Sequence, residues 1–179
     1  MSRPALATSP PWQRWLARWR VPLGFASAIV AFVFAGPTRA SLLAGGAVAA
    51  AGEAIRMWAA GHLEKSREVT TSGPYRWTRH PLYAGSIVIG IGVAIAAASV
   101  PVAVLVAIYL LSTITSAIRT EEAYLREQFG ASYEQYAAGL GPRVARRFSA
   151  ARVIDNKEYR AIAGVAAGFV LLAVKAYFR

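Results

Sequence analysis

LYAGSIVIGIGVAIAAASVPVAVLVAIYLLSTITSAI, residues 82–118, holds no charged side chain. A helix crossing about 30 Å of hydrocarbon needs about 20 residues, so this run is long enough for two crossings, Leu82–Ser99 and Pro101–Ile118. The connection between them, Ala98–Pro101, is tiny and uncharged. A link that short forces the two helices into an antiparallel hairpin.

Outward from the hairpin lie three more apolar stretches, Val21–Ala35, Ser41–Ala60 and Ala161–Phe178. The first is short and borrows from its flanks. Inside lipid every backbone N–H and C=O must be satisfied within the segment, so all five are expected as helices. Runs such as Ala44-Gly45-Gly46-Ala47 allow close helix approach. Composition agrees: 56 % of the 179 residues are hydrophobic and 16 % charged, against about 25 % charged in soluble domains. That argues against both a water-soluble domain and a disordered chain. The expected fold is all-α, a polytopic membrane bundle with about five transmembrane helices and short cytoplasmic helices. Its units are an interfacial segment 1–20, a core 21–160 and an added C-terminal transmembrane helix 161–179.

Segment 1–20 interleaves Arg14, Arg18 and Arg20 with Trp12, Trp15 and Trp19. Tryptophans at i, i+3 and i+7 share one face, the pattern of a helix lying in the membrane interface rather than a signal peptide. Sixteen of the twenty Lys and Arg residues fall in segments 1–20, 61–81 and 119–160, which puts the N-terminus and both long loops on the cytoplasmic side. The net charge of +11 is therefore assigned to an anionic membrane surface, with no nucleic-acid partner. Heavy Ala and Arg usage suggests a bacterial source and hence a bacterial inner membrane. Without cysteine and with two histidines, His62 and His80, thiolate chemistry is excluded and no metal site is expected. No phosphate-binding glycine loop, HExxH motif or nucleophile elbow occurs.

Polar chemistry thus collects in two loops, 61–81 and 119–160. In the first, Ser72-Gly73-Pro74 signals a turn. His80 is biased to an extended conformation by the proline after it, and Pro81 suits the first position of a helix. The free N–H groups of that helix, beside Arg79 and His80, suit an anion; Arg76, Trp77, Arg79 and Tyr83 read equally as interfacial anchors. In the second loop the helix is expected to continue to Phe129 and stop at Gly130. A short helix then starts at Ser132, with Gln135 closing a capping box. Glu121 and Glu122 lie where the first of these leaves the membrane, used for function or paired with Arg119 or Arg126. Glu53 and Arg56, three apart, are expected to pair inside the bundle, and His62 to be interfacial.

Gly73-Pro74-Tyr75-Arg76-Trp77-Thr78-Arg79-His80-Pro81-Leu82-Tyr83-Ala84-Gly85, followed by Glu121-Glu122-Ala123-Tyr124-Leu125 and Phe129-Gly130-Ala131-Ser132-Tyr133-Glu134-Gln135-Tyr136, resembles the isoprenylcysteine carboxyl methyltransferase family. That family is grouped with integral-membrane phospholipid N-methyltransferases. The resemblance covers about residues 53–143 and implies S-adenosylmethionine (SAM) as cofactor, held on the cytoplasmic face. It implies cofactor contacts at Arg67, Glu68, Val69, Thr70, Tyr75, Arg79, His80, Pro81, Leu82, Tyr83 and Glu121. It also implies a substrate-contacting arginine four residues before the glutamate. Ala117 stands there, and Arg119 lies about 200° around the helix. Arg119 and Glu122 are the candidate catalytic residues, Glu122 or His80 serving as base if the acceptor is an amine or phenol.

The activity so implied is methyl transfer to a lipid-like or small hydrophobic acceptor, with membrane lipids as the other partners. A phospholipid or amine N-methyltransferase, a nicotinamide-dependent membrane reductase of the sterol-reductase type and a non-enzymatic lipid-binding scaffold are the alternatives. SAM against NADPH binding separates the enzymes, and tolerance of Glu121→Gln marks the scaffold.

Overall fold

The structure, a computed structural model, describes residues 11–142 and 144–178, with side chains at Trp19 and from Pro22 onward. Its elements are α1 (Pro11–Phe34), α2 (Arg39–His62), a 3-10 turn (Gly73–Arg76), α3 (Pro81–Ala97), α4 (Val100–Phe129), α5 (Ala131–Ala137), α6 (Ala150–Asp155) and α7 (Tyr159–Tyr177). Among the described residues every regular element is helical. Of the expected interfacial segment 1–20, residues 1–10 lie outside them, as do the side chains of Trp12 and Trp15 on which its tryptophan face depends. From Pro11 onward that segment runs into the first apolar stretch as one helix, with Pro22 inside it.

Helices α4 and α7 are long and apolar enough to cross a membrane. The apolar part of α1, Pro22–Phe34, and all of α3 are apolar but shorter. Among the described residues, two helices therefore meet that requirement of length and composition, where five crossings were expected. The shortfall has local causes. The hairpin turn takes Ala98, which caps α3 at φ 46°, and α2 carries Glu53 and Arg56 within its length.

The long helices alternate in direction. At one end the Gly36 N–H donates to the Ala97 carbonyl at 2.8 Å, the Ser41 hydroxyl to the Ala96 carbonyl at 3.0 Å, and Lys175 Nζ to the carbonyls of Phe32 and Val33. Ala35, Ala96, Ala97, Val102 and Leu172 form the buried apolar cluster there. Thr38 starts α2 with a reciprocal cap, its hydroxyl accepting from the Ser41 N–H at 3.1 Å and its own N–H donating to Ser41 Oγ at 2.9 Å. Both polar loops lie at the opposite end.

Helices α2 and α3 pack antiparallel through small residues. A Cβ on Gly52 would stand 2.8 Å from the Gly85 carbonyl oxygen, and one on Gly92 would stand 2.6 Å from the Gly45 carbonyl oxygen. The contacting positions are 45, 49, 52 and 56 on α2 and 85, 89, 92 and 96 on α3. That alternation of four and three is the spacing of helices crossing at a shallow left-handed angle.

Three local expectations change. Arg56 pairs with Glu158 rather than Glu53, at 2.8 Å, because Glu158 offers both oxygens to the guanidinium fork. Both Glu53 oxygens are buried without a hydrogen-bond partner among the described residues. His62 is buried, its Nδ1 3.2 Å from Ser72 Oγ, because the loop folds back over the end of α2. Helix α5 starts at Ala131 from Gly130 with no side-chain cap, so the Ser132–Gln135 box does not form.

Candidate cofactor site at the loop end

Pro81 occupies the first turn of α3, and His80 precedes it at φ −131° and ψ 55°. Neighbouring Arg79 and His80 thus reach α4. His80 Nε2 lies 3.1 Å and an Arg79 Nη 3.3 Å from Glu122 Oε1. Arg126, one turn further along α4, meets the other Glu122 oxygen at 3.4 Å. Burial alone would raise the Glu122 carboxyl, but the His80 hydrogen bond and the charges of Arg79, His80 and Arg126 outweigh it and hold it below the usual glutamate value.

Gly130 then reverses the chain at φ 47°, a conformation that a Cβ disfavours. The reversal folds α5 back on α4. Arg126 Nε reaches Glu134 at 3.0 Å, and Tyr133 is fully buried. The Tyr136 hydroxyl donates to the Tyr75 carbonyl at 2.9 Å, tying α5 to the 3-10 turn of the first loop. Burial, then Tyr133 and Glu121 against the opposing pull of Arg79, pushes the Tyr136 hydroxyl up to about 12. Burial, then Glu121, Tyr136, Glu158 and Tyr83, also raises Tyr75. Both phenols stay neutral near pH 7. The His80 and Tyr83 rings lie 5.8 Å apart.

The expected cofactor residues therefore divide. Arg79 and His80 meet Glu122 directly, Tyr83 lies beside the His80 ring, and Pro81 follows His80 at the first turn of α3. Tyr75 is tied to α5 through its carbonyl, and the Leu82 carbonyl turns to Arg56 and Ser86. Arg67, Glu68 and Thr70 belong to a second network, with Val69 between them in the chain. There Glu68 meets Arg146 at 2.7 Å, and Arg67 turns to Glu64 at 3.5 Å with its side chain largely exposed. Thr70 Oγ1 accepts from the Glu64 N–H at 3.2 Å. Thr71 bridges the Pro142 carbonyl and the Val144 N–H at 2.9 and 3.1 Å. Arg119 lies on an exposed face of α4.

Residues 144–158 carry partners that local sequence reasoning missed. Arg152 donates to the Gly61 carbonyl at 2.6 Å and pairs with Glu64 at 3.0 Å. Asn156 donates to the carbonyls of Ala60 and Leu63 at 3.0 and 3.1 Å. Together they satisfy the last carbonyls of α2, where a cation also complements the helix dipole. The basic run of 143–152 was visible, but its acidic partners lie some 80 residues upstream and no local period marks them.

Residues 41–132 match the phospholipid methyltransferase family. A protein-S-isoprenylcysteine O-methyltransferase from Schizosaccharomyces pombe is 30 % identical over 122 residues, 64 % of this chain and 52 % of that protein. A probable protein-S-isoprenylcysteine O-methyltransferase from Oryza sativa subsp. indica is 32 % identical over 76 residues, 42 % of this chain and 40 % of its own. The chain thus spans about half the length, or less, of these curated relatives. Both are eukaryotic and lend no support to the bacterial source suggested by composition. No solved structure matches. The family match takes in half the chain, including the 3-10 turn, the Arg79–His80–Glu122 junction and the whole α3–α4 hairpin, and on that ground the chain belongs to the phospholipid methyltransferase family.

Proposed function

We propose that this chain is an integral-membrane methyltransferase that takes SAM at the loop end of the bundle and transfers its methyl group to a lipid-like acceptor. The observation carrying this reading is the junction of Arg79 and His80 with Glu122, at 3.3 and 3.1 Å. It joins two loops 42 residues apart in sequence into one polar surface at the end of an apolar bundle. The donor set fits the cofactor: guanidinium groups for its carboxylate, Glu121 for its amino and hydroxyl groups, and the Tyr75 and Tyr83 faces for its positive sulfur.

When bound, SAM supplies a methyl group on a sulfonium. The residues then have to bind, orient and exclude water, and orientation alone is worth roughly 7–11 kcal/mol. With three donors on its carboxylate, Glu122 is a weak proton acceptor. Its role is to hold Arg79 and His80 in place, while His80 remains the candidate base for an amine. A carboxylate acceptor needs no base near pH 7. Arg119, near the membrane boundary, is assigned to the acceptor headgroup.

Between α3 and α4 runs a groove of about 440 Å³, lined by Ile87, Gly90, Ile91, Ala107, Leu110 and Ile114 among others. It supports a lateral seat for the acceptor's hydrocarbon, below the junction. The five alternating long helices support five crossings, and the charge bias supports cytoplasmic loops. The matched family's phospholipid description supports a second reading, an amine headgroup as acceptor.

Calorimetric titration of the purified chain with SAM tests the assignment. Glu121→Gln and His80→Ala are each expected to weaken binding about tenfold or more, since one hydrogen bond to a charged group supplies about 1.5–3 kcal/mol. Unchanged affinity in both variants overturns it.

A further inference from the structure

We infer that the ion pair between Arg56 and Glu158 makes the C-terminal helix α7 part of the site, with both residues positioning the first turn of α3. This rests on the reading of that turn as cofactor-binding. Glu158 stands immediately before α7, makes no side-chain capping bond to it, and is 6 % exposed. Its carboxylate accepts from Arg56 Nε at 3.1 Å and from Nη2 at 3.0 and 2.8 Å. The remaining guanidinium nitrogen, Nη1, donates to Ser86 Oγ at 2.5 Å and to the Leu82 carbonyl at 3.4 Å. Ser86 Oγ donates to the same carbonyl at 3.0 Å. A single planar fork thus links α2, α3 and α7, and its end contact lies two residues past His80.

The geometry leaves little room for substitution. The arginine stem crosses α3 at Gly85, where a Cβ would stand 2.6 Å from Arg56 Cγ. A lysine has no fork to serve Glu158 and Ser86 together. A buried ion pair gives little net stability, because desolvating two charges offsets their attraction. Stability alone is therefore a weak reason for this pair, whereas fixing the direction of the Leu82 carbonyl is specific. Glu158 lies beyond the family-matched residues 41–132, so this chain holds a shared turn with a partner from its own C-terminal part. Electrostatic reach agrees: Glu158 is among the charges that raise the Tyr75 hydroxyl.

The test compares the two ends of α7 in the full chain. Lys175→Met removes the contact with the carbonyls of Phe32 and Val33 at the far end, and Glu158→Gln removes the charge at the near end. Hydrogen exchange over residues 80–86 is read without cofactor, alongside thermal unfolding and SAM affinity. Glu158→Gln is expected to speed exchange in that turn and to weaken SAM binding on the order of tenfold, well inside the hundredfold that a 1 Å misplacement costs. Lys175→Met lowers the unfolding midpoint but changes neither. Unchanged exchange in Glu158→Gln, or equal effects of the two variants, overturns the inference. Should Glu158→Gln fail to fold, Ser86→Ala takes its place with the same expectation. A wild-type chain that binds no SAM sinks the functional reading, while the exchange data still decide the coupling.

Discussion

The face of α3 that meets α2 carries Gly85, Gly92 and Ala96 against Gly45, Ala49 and Gly52, and the two backbones touch. The face that meets α4 carries Ile87, Gly90, Ile91 and Ala94 against Val106, Leu110 and Ile114; the Leu110 side chain packs onto Gly90, and the backbones stand apart around a groove. One helix is thus welded on one side and open on the other. In lipid the difference cannot come from hydrophobicity, because lipid tails are as apolar as leucine. It comes from side-chain volume. Small residues admit backbone contact, while branched ones fill only part of the wider space.

The strongest way to break this comparison is a wedge in the closed face. Gly92→Leu would drive a side chain into the Gly45 carbonyl and the Ala49 N–H, each 2.6 Å from its Cβ. Backbone cannot rotate aside, so the helices must separate. The expected cost is about 3 kcal/mol or more, the upper range for overpacking, read as a large fall in the unfolding midpoint in detergent. A midpoint equal to wild type would mean that the closed face is not tight.

A smaller effect should follow from filling the open face. Ala107→Phe places a ring in the groove, where Ala107 is exposed, and should leave both the midpoint and SAM affinity near wild type. Moving an acyl chain from bilayer to groove would gain little affinity, so on the proposed reading the groove would act by alignment. Methyl transfer to a long-chain acceptor should fall about tenfold, while transfer to a short-chain analogue is retained. Equal losses on both acceptors would remove the groove from the acceptor's path.

Much of this contrast was legible in the sequence, and the reasons differ by region. The hairpin of α3 and α4 follows from an uncharged run with one turn inside it. The end of α4 at Gly130 and the start of α3 at Pro81 follow from single residues whose backbone preferences admit few alternatives. The α2–α3 register was written in small residues spaced four and three apart, although the sequence alone did not say which helix would meet them. The partner of Arg56 was not legible. Glu53, three residues away, is the local choice, and Glu158 wins from 102 residues away only once α7 has docked. The split of the cofactor set was hidden for the same reason. Glu68 is drawn to Arg146, which sequence reasoning had left as unassigned basic chain.

The mildest test concerns the loop end instead of either α3 face. His62 lies under the first loop, its ring 6.4 Å from that of Phe148. Burial, then Arg152, Arg146 and Arg76, lowers its affinity for a proton below the ordinary 6.5. The unfolded chain therefore takes up a proton at His62 before the folded chain does. Stability from this group is intact above pH 6.5 and falls as pH drops below it, by no more than about 1.4 kcal/mol per pH unit. His62→Gln should flatten the wild-type loss between pH 6.5 and 5. Comparing the two chains cancels contributions from groups they share. The Gly92→Leu variant should keep the wild-type slope, because the closed face of α3 carries no group titrating in that range. An identical slope in wild type and His62→Gln would mean that the ring is not held neutral by its cover, and that the loop end is looser than the packing of Phe148 and Ser72 around it implies.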